Sequence, residues 1–114
     1  MSGSISLSSA EKAIEAGKAK AAELGIAFTI SVLDGGARLI ALSRMDGAAL
    51  ASVESSQAKA RTSVYFAQPT RDLAGAVQPG APMFGIEYGF GEPVVFVGGA
   101  VIFEQMERGF ADVI

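Results

Sequence analysis

Residues 27–43 constrain this chain more than any other stretch. Phe28, Ile30 and Val32 alternate with Thr29 and Ser31, the period of a strand with one apolar face. Asp34-Gly35-Gly36 then reads as a tight turn, because glycine reaches positive φ without penalty and an aspartate side chain bonds its own backbone. A second strand follows from Arg38 to Ser43. Two short strands joined this way form an antiparallel β-hairpin, which needs a helix or further strands to cover its apolar face.

The flanking sequence supplies helices. Ala10, Ala13, Ile14, Gly17, Ala21 and Leu24 share one helical face, and the spacing predicts a helix over 9–24. Ser8 and Glu11 suggest a capping box at its start, and Gly25 sits where a helix stops. A second helix is expected over 49–66, with Leu50, Val53, Gln57, Ala60 and Val64 as its inner stripe. Its many Ala and Ser residues imply a close neighbour. Pro69-Thr70 ends it, and Thr70 is placed to cap a short third helix reaching about Gly75. Residues 78–91 are rich in Gly and Pro and read as loop, with Met83, Phe84 and Ile86 turned to the core. Strands are expected over 93–97 and 100–103 around Gly98-Gly99, while 104–114 fits either a helix or a strand.

Composition removes several classes of function. The 114 residues include no histidine and no cysteine, so the commonest general base, imidazole ligation and thiolate metal sites are all excluded. Nine basic against twelve acidic residues leave no basic excess for nucleic acid. No apolar run approaches the roughly 18 residues of a membrane span. Half the residues are hydrophobic, more than a small monomer easily hides, which points to a homo-oligomer. Residues 1–6 lack the charged start and apolar stretch of a secretory signal, so a cytoplasmic location is expected.

Taken together, Thr29-Ile30-Ser31-Val32-Leu33-Asp34-Gly35-Gly36, Arg44-Met45-Asp46-Gly47-Ala48, Ser52, Ser56, Lys59-Ala60-Arg61-Thr62, Phe66 and Pro69-Thr70 form one pattern. It resembles the GlcG/HbpS family, also called the haem-degrading domain family, which includes the C-terminal domain of PduO. The resemblance runs from about Leu7 to Gly99. It implies a single domain of the α/β (α+β) class with a profilin-like fold, a five-stranded antiparallel sheet flanked by helices. It also implies homo-oligomers and the binding of haem or other small molecules. Relatives usually continue past the Gly-Gly with a further strand, a Gly-Val-Ser-Gly segment and a closing helix, so the family's C-terminal strand and helix look shortened over 1–114.

For ligand binding, Arg44, Met45, Asp46, Lys59, Gly98 and Gly99 are the candidate residues. Arg44 offers a planar fork to a carboxylate and Lys59 a point charge, while Gly98-Gly99 can present backbone N–H groups to an anion. The alternatives are structural: an ion pair of Asp46 with Arg44 or Lys59, and a plain hairpin turn at Gly98-Gly99. Haem is a possible cofactor through the resemblance alone, and without histidine its iron is left Tyr65, Tyr88, Met45 or Met83. Glu87, Glu92, Glu104 and Glu107 make no recognisable metal cluster. The alternative is an enzyme acting on a small carboxylate or aromatic metabolite, with Lys59, Asp46 or Glu54 as its acid–base group.

Overall fold

The computed structural model describes residues 5–96 and 110–113. In chain order these form helix α1 (Leu7–Leu24), strands β1 (Thr29–Leu33) and β2 (Leu39–Arg44), helix α2 (Ser52–Phe66), a short helix α3 (Thr70–Leu73) and strand β3 (Phe110–Val113). Turns of 3₁₀ helix occupy Ala74–Val77 and Ile86–Gly89. Among the described residues the sheet is wholly antiparallel, in the order β2-β1-β3.

β1 is the centre of the molecule, and all five of its residues are buried. Its two faces are chemically different. Ile30 and Val32 join Ala10, Ile14 and Ala21 of α1 in the main apolar cluster. Each such aliphatic side chain taken out of water contributes about 1.5–3 kcal/mol. Gly17 allows the close approach: a Cβ there would lie 2.9 Å from Cγ1 of Ile30. On the other face the contacts to α2 are hydroxyl pairs. Thr29 Oγ1 lies 2.6 Å from Ser52 Oγ, and Ser31 Oγ lies 2.6 Å from Ser56 Oγ. The helix hydroxyls pass their protons on to backbone carbonyls three residues earlier, Ser52 to Ala49 just ahead of the helix and Ser56 to Val53 within it. This is how α2 buries serines without orphaning them.

The hairpin forms where expected, with its register at Thr29↔Arg44 and Val32↔Ala41. Beyond Val32 the register shifts to Leu33↔Leu39, so Ile40 is the additional residue on β2. Asp34 Oδ1 accepts from the backbone N–H groups of Gly36 and Arg38. The left-handed residue of this turn is Ala37, at φ 62°, and neither Gly35 nor Gly36 has positive φ. The turn chemistry therefore rests on the aspartate, and the glycine expectation is corrected.

Other expectations change in detail. The α1 cap is Ser6, whose hydroxyl accepts from Ser9 N–H, and Ser8 lies inside the helix. Gly25 closes α1 in the left-handed conformation as expected, but Leu24 is exposed. The inner stripe of α2 differs more. Ser52, Ser56, Ala58, Lys59, Ala60, Thr62 and Ser63 are buried, whereas Leu50 is 78% exposed. Of the five residues assigned to that stripe, Ala60 alone is buried. The partner surface of Thr29 and Ser31 selects hydroxyls, so apolar periodicity misplaces the face. Pro69, not Thr70, stands at the N-cap of α3, and the Thr70 hydroxyl is buried without a hydrogen-bond partner among the described residues.

A second apolar cluster lies beyond α2, where Leu73, Val94 and Phe96 pack with Phe66, Val77, Ile86 and Phe90. Ile86 meets the core as expected, but Phe84 is exposed. Residues 93–96 make no ladder among the described residues, so the strand expected over 93–97 is not formed there. Val97, Gly98-Gly99 and 100–103 lie outside the described residues. The open choice over 104–114 is settled for 110–113, where β3 pairs with β1 from Ile30↔Val113 to Leu33↔Phe110.

Candidate functional site

Ser52 sits over Thr29 and Ser56 over Ser31, so α2 runs in the same direction as β1. This orientation sets Lys59, the one candidate residue on the helix, relative to Arg44. Arg44 pairs with Thr29 and so stands at the Ser52 end. Lys59 is seven residues further on, about 10 Å along the axis. Arg44 and Asp46 are exposed, while Lys59 is 4% exposed and is not a free cation. Among the described residues Arg44 and Asp46 form no ion pair with each other. Met45 has a structural role: its Sδ accepts from Phe28 N–H at 3.5 Å, and it packs on the α1 cluster. Gly98 and Gly99 lie outside the described residues.

A cleft lies beside α2. Glu54, Gln57, Ala58 and Arg61 form one helical stripe, joined by Ser55, and Pro93 and Val95 face it. Its volume is about 340 Å³, inside the roughly 300–1,000 Å³ of small-molecule sites, and its walls are mostly apolar. None of Arg44, Met45, Asp46 and Lys59 lines it.

The facing wall is a strap, residues 92–95, held by α2. Arg61 Nη1 donates to Pro93 O at 2.6 Å, and Val95 N–H donates to Thr62 Oγ1 at 3.0 Å. Thr62 in turn donates to Ala58 O. Glu92, at the strap's start, meets two guanidinium groups: Oε2 lies 3.3 Å from Arg61 Nε, and Oε1 lies 3.4 Å from Nη1 of Arg38 in the hairpin turn. The first contact is ionic only, since Arg61 Nε has no hydrogen-bond partner among the described residues. Two arginines around one carboxylate leave this end of the cleft net positive. Glu54 gives the other end a carboxylate.

Arg61 enters the sequence pattern through the family resemblance alone and is not among its candidate binding residues. A signal was present, because Glu54, Gln57, Ala58 and Arg61 recur at the spacing of one helical face. Residues 93–95 could not be matched to that face, because the link between them is 32 residues long in sequence.

Among the described residues no group of three or more His, Cys, Asp and Glu is arranged to hold a metal ion. No described helix is long and apolar enough to cross a membrane. For haem iron, the available side chains fit poorly. Tyr65 is stacked on Phe90 with ring centroids 5.3 Å apart, Tyr88 is 89% exposed, and Met45 is engaged as described. None of them, nor Met83, lines the cleft.

Fold and cleft define a mixed α/β domain, with an antiparallel sheet between helices and a ligand-sized recess beside one of them. The family profile described as haem degrading protein HbpS-like matches residues 5–111, and the chain belongs to this family. It is 35% identical over 97 residues to a 15.0 kDa protein of the dhaT–dhaS intergenic region of Citrobacter freundii, covering 85% of this chain and 68% of that one. The fold matches the crystal structure of Klebsiella pneumoniae ORFY with a TM-score of 0.85 and 31% identity, over 97% of this chain and 78% of that one. It also matches PduOC, crystallised as a haem complex, with a TM-score of 0.77 and 28% identity, over 89% of this chain and 75% of that one.

Proposed function

We propose that this chain is a small-ligand-binding protein that takes a haem-type tetrapyrrole as its ligand and works as a homo-oligomer in the cytoplasm. The observation that carries the reading is the shared fold with PduOC, which was crystallised with haem. The cleft beside α2 supports it: Ala58, Pro93 and Val95 suit an apolar ring, and Arg61 suits a carboxylate. Arg44, Met45, Asp46, Lys59, Gly98 and Gly99 are the second candidate seat. The likeness to ORFY over nearly the whole chain supports a complete five-stranded, profilin-like sheet.

Native mass spectrometry with and without hemin tests subunit number and ligand together. An oligomer that retains hemin is expected, and a monomer without ligand defeats the reading. Losing the charge-assisted contact in Arg61→Met lowers hemin affinity about tenfold or more. A comparable loss in Arg44→Met, with Arg61→Met unchanged, moves the seat to the other end of α2. Burial of Lys59 keeps the enzymatic reading as the second one, and turnover of a small carboxylate abolished by Lys59→Met would establish it.

A further inference from the structure

Protein side chains hold haem iron through imidazole, thiolate, thioether or phenolate groups. This sequence has no histidine and no cysteine, and its candidates reduce to four methionines and two tyrosines. The structure accounts for several of them. The Met45 sulfur accepts a backbone N–H and faces the α1 cluster. The Tyr65 ring is stacked on Phe90. Tyr88 stands almost wholly in solvent, where a bound ring would remain wet. The cleft offers instead a guanidinium, an amide, a hydroxyl, a carboxylate and an apolar wall. Arg61 has five N–H donors, one of which goes to Pro93 O.

We infer that the chain recognises a tetrapyrrole by its macrocycle and carboxylates and not by its metal. The inference rests on the tetrapyrrole reading above. Apolar burial scales with the area of the ring, which the iron does not change, and the carboxylates are the same with or without it. The ligand class is therefore planar apolar carboxylates, metallated or metal-free.

The test is a pair of titrations of the full chain, with hemin and with iron-free protoporphyrin IX. Porphyrin fluorescence and its displacement by hemin are the readout. The expected result is two dissociation constants within about fivefold of each other. Tyr65→Phe, Tyr88→Phe and Met83→Leu should then leave the Soret band of the hemin complex in place. A preference for hemin larger than about fivefold, or a Soret shift in any of these variants, shows an axial protein ligand. Either result overturns the inference while leaving the tetrapyrrole reading intact. Failure of both compounds to bind removes that reading, and the inference with it.

Discussion

The hydroxyl pairs between β1 and α2 have a direction that unfolding experiments can read. Ser56 donates to Val53 O, so the proton in its pair with Ser31 comes from the strand, and Ser31 is the donor. Removing Ser56 leaves the Ser31 hydroxyl, which is completely buried, without a partner. Removing Ser31 leaves Ser56 still bonded to its own helix. An orphaned buried hydroxyl costs about 1–3 kcal/mol, whereas losing a net hydrogen bond costs about 1 kcal/mol. Ser56→Ala should therefore destabilise the protein by about 2 kcal/mol and Ser31→Ala by about 1 kcal/mol. The double variant should cost less than the sum, because it leaves no hydroxyl unpaired. Urea unfolding at constant m-value measures all three. Equal costs for the two single variants, or strict additivity in the double one, would refute the assigned direction.

Two further outcomes test the backbone. In Gly17→Ala the helix gains about 1 kcal/mol of propensity, but the new Cβ meets fully buried Ile30 and overpacking of this kind costs about 1–3 kcal/mol. A lowered Tm is expected, and a raised one would mean that α1 lifts from β1 without penalty. Ala37→Gly relieves a left-handed alanine and should stabilise the hairpin by about 1 kcal/mol, and a drop in the urea midpoint would contradict the turn geometry.

The hairpin and α1 were legible because their signals are local. Alternation in Phe28–Val32 and the 3.6-residue recurrence of Ala10, Ile14, Gly17 and Ala21 need no knowledge of a distant partner. The many Ala and Ser residues of α2 announced a close neighbour, but which of its faces is buried was not legible. A serine reads as a surface residue until the strand opposite is known to offer Thr29 and Ser31. The cleft was hidden for the same reason, since its two walls meet through contacts of Arg61 with Glu92 and Pro93 and of Thr62 with Val95, across more than 30 residues. Met45 illustrates the converse. The motif around it is conspicuous in the sequence, but its sulfur serves the backbone of Phe28 and it does not line the cleft.

The spacing of the serines on α2 acts as a ruler. Ser52 and Ser56 are about 6.0 Å apart along the helix, and Thr29 and Ser31 about 6.6 Å apart along the strand, so both pairs close in a single register. A slip of α2 by one turn would set Ser56 against Thr29 and leave Ser31 facing Ala60. A helix lined only with alanine would glide past the strand with no such penalty. Glu54 and Arg61 ride on that graduated scale, so the register that seats the serines also sets where the charges of the cleft stand.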